Sequence, residues 1–269
     1  MLKIKNKIKF KHTDNRMKNE GNVSLSILDL NKNKNLFILL NERFSWMNKF
    51  IKKDDVGIEV GAAAGFSKKF INCKNFKISD FSDHDHLDYK NIDAQNTGFK
   101  NEEFDFILSS NMIHHLPYPV RFFNEMHRIL KKGGKLIIFD AHCSVLLQLV
   151  LILMRHEGFD FTKNVWDVKS PATDSEDLWS GNSAIPYLIF NNDKKFDEYL
   201  GNKFHIKYKK LCECMLFLNS GGVTSKTFFI PLNFFLLKII IKLDKILCFL
   251  LPKIFSLAYK IVLEKKKLI

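Results

Sequence analysis

The chain of 269 residues contains few cysteines and few arginines, and it has no long uncharged apolar run. Of its five cysteines, Cys212 and Cys214 are one residue too close for a CxxC zinc or redox pair. Cysteines are sparse for a chain of this length, so we expect a reducing cytoplasm. No uncharged run reaches the roughly 18 residues that a membrane-spanning helix needs. Residues 1–11 alternate Lys with apolar residues, a pattern that predicts no secretory signal.

The strong positive charge does not take the form that nucleic-acid binding favours. The formal net charge is +13, but only five of the 42 basic residues are Arg, and they do not cluster. Arg is the usual contact to phosphate and guanine, because its planar fork forms paired hydrogen bonds. The sequence therefore predicts a solvated basic surface and no nucleic-acid partner.

The hydrophobic pattern predicts an α/β protein. Short apolar runs alternate with stretches of helical periodicity, which favours a Rossmann-like, doubly wound, mostly parallel sheet with an antiparallel closing strand. The predicted parallel strands are Val56–Val60, Phe76–Ser79, Phe104–Ser109 and Lys135–Asp140, and the closing antiparallel pair is Phe204–Lys209 with Met215–Leu218. The predicted helices are Leu28–Ile51, Phe66–Ile71, Pro119–Leu130 and Val145–Met154.

A loop of small residues follows the first predicted strand. Gly61 and Gly65 enclose three alanines, and such a loop lets backbone amides approach a ligand closely. Glu59 precedes the loop, Asp80 ends the next strand, and Asp93 follows further along. Because the carboxyl ends of parallel strands meet at one crevice, we expect Asp80 to accept hydrogen bonds from ribose hydroxyls and Asp93 from an adenine amino group. The crevice therefore fits a nucleoside.

This loop is the first of several motifs between Val56 and Asp140. The motifs are Glu59–Gly65, Asp93–Ala94, Phe104–Ile107, His114–Leu116 and Arg128–Gly134. Together they resemble the class I S-adenosylmethionine (SAM)-dependent methyltransferases, most closely the small-molecule branch often called type 11. The resemblance implies a Rossmann-like fold, SAM as the cofactor and methyl transfer as the reaction.

The resemblance also implies roles for individual residues. In the family, the first acid and the loop hold the methionine end of SAM, the next acid holds the ribose, and an Asp-Ala pair contacts the adenine. The residues at these positions are Glu59, Gly61, Ala63 and Gly65 for the methionine end, Asp80 for the ribose and Asp93 with Ala94 for the adenine, with Asn111 as a further cofactor neighbour.

Two positions depart from the family pattern. Ala63 stands where the family has its middle glycine, and its methyl group narrows the pocket, although we expect SAM binding to survive. Lys132 replaces the proline that usually precedes Gly133 and Gly134, which is a turn variation.

The candidate catalytic residues are His114, His115 and Asp140, with His142 beside them, because all four lie at strand ends that are predicted to face the crevice. Methyl transfer needs mainly alignment, and it needs a base only when the acceptor must lose a proton. A packing and hydrogen-bonding role for the two histidines is the alternative. His84 and His86 lie in an acidic loop that we interpret as solvated, so no metal site is predicted.

The sequence divides into a basic arm at residues 1–24, a SAM-dependent methyltransferase domain at 25–227 and a tail at 228–269. Within the domain, Phe159–Asn192 is rich in aromatic and small polar residues and is predicted to cover the open edge of the sheet. The tail is predicted to be an amphipathic helix that either contacts anionic lipid or packs on the protein's own core. The lysines near one helical face of the tail are Lys238, Lys242, Lys245, Lys253 and Lys260.

The leading hypothesis is a methyltransferase whose acceptor is a small molecule, a saccharide or a lipid-linked compound. We expect it in the cytoplasm, with peripheral contact to the inner face of the membrane through residues 228–269. The alternative is a non-catalytic SAM-binding scaffold docked at a membrane or partner. A nicotinamide-dependent oxidoreductase is disfavoured, because its fingerprint needs glycine at Ala63 and gives Asp93 no role.

Overall fold

One mostly parallel sheet runs through the centre of the molecule. The structure, a computed structural model, describes residues 2–10, 33–155, 157–177, 180–223 and 227–267. The strands are β1 (Lys7–Ile8), β2 (Val56–Val60), β3 (Asn75–Ser79), β4 (Phe104–Ser110), β5 (Leu130–Ala141), β6 (Phe159–Asp160), β7 (Phe204–Cys212) and β8 (Ala258–Lys265). The α-helices are α1 (Lys34–Phe44), α2 (Pro119–Ile129), α3 (Val145–Met154), α4 (Ile185–Phe190), α5 (Asp193–Leu200), α6 (Met215–Leu218), α7 (Phe234–Leu250) and α8 (Pro252–Phe255).

The strand order across the main sheet is β3-β2-β4-β5-β8-β7. Strands β3, β2, β4 and β5 are parallel to one another, whereas β8 runs antiparallel to both of its neighbours, β5 and β7. Strands β1 and β6 form a separate antiparallel pair. The predicted Rossmann-like, mostly parallel sheet with an antiparallel strand is confirmed.

Helices cover both faces of the sheet, because alternate strand residues point to opposite sides. On one face, Ile107, Leu136 and Ile261 pack with apolar residues of α2, α4 and α5. On the other face, Leu108 and Ile137 pack with apolar residues of α1 and α7. The inner parallel strands β2, β4 and β5 are buried on both faces, as expected for parallel strands between two helical layers.

The predicted strand at Met215–Leu218 is wrong, because this segment forms helix α6. An apolar run of four residues is too short for its periodicity to tell a strand from a buried helix. The deciding interaction comes from α7, where the Asp244 carboxylate accepts hydrogen bonds from the backbone amides of Cys214, Met215 and Leu216 at 3.2, 2.8 and 3.1 Å. These amides lie at the start of α6, where they have no partner within the helix.

The interpretation of the whole tail as a helix is also wrong at its carboxyl end. Residues 234–250 form α7, but Ala258–Lys265 is a strand in the interior of the sheet and is the true antiparallel partner of β7. Its β-branched and aromatic residues are buried on both faces. Lys260 therefore does not share a helical face with the other lysines, and its ammonium group instead donates to the Glu42 carbonyl at 2.7 Å.

Several other elements are shorter than predicted or lie partly outside the described residues. The first helix spans Lys34–Phe44 and continues as a 3₁₀ helix at Ser45–Phe50, while 28–32 lie outside the described residues. The segment after the small-residue loop is a short 3₁₀ helix, Phe66–Lys69, rather than an α-helix. In the basic arm, Lys7–Ile8 is paired to β6, and residues 11–24 are outside the described part.

Because β8 lies inside the sheet, we expect a substitution in β8 to destabilise the protein more than a matched substitution on the surface of α7. Ile261 is fully buried in β8, and its replacement by Ala should lower the free energy of unfolding by about 2–5 kcal/mol through lost burial and a new cavity. Ile246 is 52% exposed on α7, and Ile246→Ala should change it by no more than about 0.5 kcal/mol. Urea unfolding of both variants measures the difference. Equal effects would show that the end of the tail is not part of the core.

Candidate active site

A cavity of about 890 Å³ opens at the carboxyl ends of the parallel strands. This is the edge at which open α/β sheets bind ligands. Most of the predicted cofactor-binding residues meet there, although their roles stay predictions. Those that line the cavity are Glu59, Gly61, Ala63, Asp80, Asp93, Ala94 and Asn111.

Gly65 is the exception, since it does not line the cavity. Its φ of +68° starts the short 3₁₀ helix, and a Cβ there would lie 2.6 Å from the Ile78 side chain. Gly61 has a φ of +71°, and a Cβ there would lie 2.3 Å from Met112, which lines the cavity. Both positions therefore require glycine, one to form the loop and the other to keep the cavity wall in place.

Ala63 adopts a left-handed conformation with a φ of +43°, which costs a residue with a side chain about 1–2 kcal/mol. Two hydrogen bonds hold it there. The Ala63 amide donates to Asp80 Oδ2 at 2.8 Å, and His86 Nε2 lies 2.7 Å from the Ala63 carbonyl oxygen, to which it must donate. The departure from the family pattern at this position is thus accommodated by neighbours on the next loop.

The interpretation of the His84–His86 loop as solvated is wrong for its two histidines. His84 is buried and lines the cavity, and its ring stacks on that of His86 with a centroid distance of 5.5 Å. The hydrogen bond from His86 to the small-residue loop joins residues 23 positions apart. The spacing of these residues along the chain does not indicate the contact.

Asp80 and Asp93 present carboxylates to the same cavity. Asp80 accepts from Ala63 through Oδ2 and from the Ser82 amide through Oδ1, both at 2.8 Å. Asp93 Oδ1 accepts from the Gln95 amide, also at 2.8 Å. A carboxylate has about four lone-pair sites, so the bonds that fix each group leave capacity for a ligand. This pair fits the hydroxyls and amino group of a nucleoside, and the arrangement fits SAM.

Glu59 lies at the end of β2 beneath the loop and is only 2% exposed. Burial is the main cause that raises the pKa of its carboxyl, the hydrogen bond from the Ser67 hydroxyl lowers the pKa, and the Asp80 charge raises it; the net pKa is about 8. Glu59 is therefore largely protonated at neutral pH. Ser67 is a partner that sequence reasoning missed.

His114 and His115 reach the cavity, whereas Asp140 lies behind them. Asp140 is fully buried, with His114 Nδ1 2.5 Å from its Oδ1 and the Ile113 amide donating to its Oδ2 at 2.8 Å. Glu157, another residue that sequence reasoning missed, lies 3.2 Å from His114 Nε2. Burial lowers the pKa of His114, but the charges of Asp140 and Glu157 outweigh it and raise the pKa well above its usual range. Asp140 thus orients His114 and does not face the cavity.

His142 lies outside the cavity lining despite its strand-end position. It is buried against the Tyr259 ring, with Nδ1 2.9 Å from the Ser256 carbonyl oxygen. Burial lowers its pKa to about 4, so it is neutral and packs in the core.

Comparisons with known proteins relate the chain to methyltransferases. Residues 62–138 match the family model described as a methyltransferase domain. Among solved structures, a SAM-dependent methyltransferase from Archaeoglobus fulgidus shares the fold at 14% identity and a TM-score of 0.51, over 84% of this chain and 93% of that one. A SAM-dependent methyltransferase from Thermotoga maritima is 18% identical with a TM-score of 0.44, and the match covers 86% of this chain and 93% of that one. A SAM-dependent methyltransferase from Methanosarcina mazei is 16% identical with a TM-score of 0.46, and the match covers 83% of this chain and 98% of that one. The chain matches none of the curated proteins.

The family match over residues 62–138 confirms three predictions from the sequence: the methyltransferase class, an enzyme, and SAM as the methyl donor. The structural likeness by itself shows the shared fold. Neither comparison identifies the acceptor, so its chemistry has to come from the cavity.

If the cavity carboxylates bind the nucleoside, replacing them should weaken the affinity for S-adenosylhomocysteine. Asp80→Asn and Asp93→Asn each remove a charge-assisted hydrogen bond worth about 1.5–3 kcal/mol, so each should raise the Kd of S-adenosylhomocysteine by about 10- to 150-fold. Asp85→Asn is the control, because Asp85 is fully exposed and pairs with Lys90. Calorimetric titration measures all three, and affinities for Asp80→Asn and Asp93→Asn that equal the control would contradict the assigned roles.

Glu59 predicts a pH dependence of stability. Its pKa is higher in the folded protein, about 8, than its ordinary value of 4.5, so folding takes up a proton between these values. This contribution is fully present below about pH 4.5 and is lost as the pH rises through about 8. Glu59→Gln, which carries no charge, should therefore gain stability relative to the native chain as the pH rises from 5 to 8. Unfolding curves at each pH test this, with the exposed Glu198→Gln as control; parallel profiles for the native chain and Glu59→Gln would disprove it.

Proposed function

We propose that this chain, which carries a class I SAM-dependent methyltransferase domain, methylates a lipid-linked acceptor at the cytoplasmic face of an anionic membrane. One observation supports this more than any other. The apolar helix α3 forms part of the cavity wall and also part of an exposed apolar surface, so the cavity and that surface are continuous.

The cavity has two chemically different halves. The half beneath the small-residue loop carries the carboxylates suited to a nucleoside. The other half combines His114, His115 and Glu157 with the apolar wall of α3, from which Leu147, Val150, Leu151 and Met154 contribute. Methyl transfer is an in-line displacement, so the acceptor atom must lie on the side of the methyl group opposite to the sulfur. An acceptor with a polar end at the histidines and an apolar portion along α3 matches this half.

The exposed apolar surface extends from α3 onto α7 and α8. On α3, Leu153 is 80% exposed and Met154 is 51% exposed, and Met154 also lines the cavity. On the adjoining end of α7, Phe249 is 83% exposed, and the neighbouring Leu250 and Leu251 are exposed as well. Helix α8 contacts both α3 and α7, so these exposed residues lie on adjoining helices, and together they are here called the α3–α7 surface. Contiguous exposed apolar residues of this kind mark interaction sites.

The charge around this surface favours an anionic membrane as its partner. Lys238, Lys242, Lys245 and Lys253 are all exposed along α7 and α8. An apolar face that enters the headgroup region and lysines that meet anionic lipid together give peripheral binding. Only a narrow stripe of α7 is buried, namely Leu237, Asp244 and Cys248. Among the described residues, no helix is both long enough and apolar enough to cross a bilayer.

Transfer of label from SAM tests the acceptor class. The full chain and cell extract are incubated with methyl-labelled SAM, and lipid and aqueous fractions are then separated. We expect label in the lipid fraction. Label that appears only in soluble small molecules or free saccharides would overturn the lipid-linked acceptor, although the methyltransferase activity itself would stand.

Membrane contact has its own matched variants. The double variant Leu153→Ser, Phe249→Ser removes large apolar groups from the α3–α7 surface and should reduce binding to phosphatidylglycerol-containing vesicles more than tenfold. The control is Val56→Ser, which changes an exposed residue at the opposite, amino end of β2. Vesicle sedimentation of the native chain and both variants measures the binding. Failure of the native chain to bind these vesicles, or equal binding by both variants, would exclude this surface as the membrane contact.

A further inference from the structure

We propose that His114, His115 and Glu157 form a binding site for a divalent transition-metal ion in the acceptor half of the cavity. The proposal goes beyond the methyltransferase activity, which does not require a metal. From the sequence we considered a metal only at His84 and His86 and predicted no metal site.

The three side chains offer one ligand atom each, and these atoms lie within 4.8 Å of one another. His114 Nε2 is 3.2 Å from Glu157 Oε2, and His115 Nε2 is 3.6 Å from Glu157 Oε1. Ligand atoms bound at about 2.1 Å from a common ion lie roughly 3.0–3.5 Å apart in neighbouring coordination positions. Small side-chain movements would therefore complete the coordination.

A second shell already orients the central ligand. Asp140 is fully buried and held by the Ile113 and Ala141 amides at 2.8 and 2.7 Å. The proton that His114 Nδ1 shares with Asp140 at 2.5 Å leaves Nε2 directed at Glu157 and the cavity. A histidine that donates one ring nitrogen to a carboxylate and binds metal with the other is a recurring arrangement, because the carboxylate fixes the ring and increases the basicity of the ligand.

The donor set indicates the class of metal. Two imidazoles and one carboxylate suit zinc, manganese, iron(II) or cobalt(II) better than calcium or magnesium, which prefer oxygen ligands. Three protein ligands leave coordination positions open, as in catalytic sites. All three ligands line the cavity, so the open positions face the acceptor.

The site also indicates an oxygen acceptor, an extension that rests on the proposed function. A hydroxyl oxygen bound to the ion loses its proton more readily, and that proton passes to water. The oxygen then forms a bond to the methyl carbon while the carbon–sulfur bond breaks, and the electron pair of that bond returns to sulfur as the neutral thioether. No oxidant or reductant is needed. Glu157 and the two histidines would thus select a hydroxyl-bearing acceptor.

Direct metal binding tests the site independently of activity. The full chain is treated with chelator, dialysed and titrated with Co²⁺, and bound cobalt is measured by its visible absorption and by elemental analysis after gel filtration. We expect one equivalent with a Kd in the micromolar range or below. His115→Gln and Glu157→Gln should each weaken binding at least 100-fold, and Asp140→Asn should weaken it about 10- to 100-fold.

A matched control comes from another His–Glu pair. His205 Nε2 lies 3.7 Å from Glu264 Oε1 on strands β7 and β8, so His205→Gln removes a similar pair away from the cavity and should leave cobalt binding unchanged. Absence of stoichiometric cobalt, or equal loss in His205→Gln and Glu157→Gln, would overturn the site.

A measurement of S-adenosylhomocysteine binding distinguishes failure of the metal site from failure of the proposed methyltransferase function. If the chelated chain binds S-adenosylhomocysteine and takes up no cobalt, the metal site is wrong and the methyltransferase stands. In that case His114 is an imidazolium held between two carboxylates. If the chain takes up cobalt at these residues, the metal site holds whatever acceptor is found.

Discussion

The hydrogen bond from the Ala63 amide to the Asp80 carboxylate connects the ends of two neighbouring parallel strands. It holds Ala63, in the loop after β2, in a left-handed backbone conformation that is unfavourable for a residue with a side chain. The Asp80 carboxylate thereby lies at the same edge of the sheet as Asp93. The parallel register of β2 with both β3 and β4 brings these groups together. The nucleoside half of the cavity depends on this register, because a shift of one residue would turn the loop residues away.

Carboxylates lie in both halves of the cavity. Asp80 and Asp93 carry the negative charge of the nucleoside half, and the buried Glu59 keeps a proton at neutral pH, so the burial of several adjacent carboxylates is avoided. In the acceptor half, His114 lies between the buried carboxylate of Asp140 and that of Glu157. A proton or a metal ion on His114 Nε2 would balance this local charge.

Much of the nucleoside half could be predicted from the sequence, because the loop and acids follow the strands at regular spacing. The rest could not, because it depends on contacts between distant segments. Asp244 fixes α6 from 28 to 30 residues away, and His86 holds the loop across 23 positions. Glu157 meets His114 only after α3 has returned the chain to the sheet edge. The aromatic and β-branched residues of Ala258–Lys265 are typical of a strand, but the preceding amphipathic helix and the lysines led us to extend the helix through this segment.

A crystal structure of the full chain with S-adenosylhomocysteine would show directly where the nucleoside binds. We predict that the ribose hydroxyls lie within hydrogen-bonding distance of the Asp80 carboxylate, that the adenine amino group lies at Asp93, and that the sulfur points toward His114 and the apolar wall of α3. Density for the nucleoside elsewhere, such as the separate groove lined by Trp46, Tyr208 and Phe249, with the carboxyl edge of the sheet uncontacted, would contradict it.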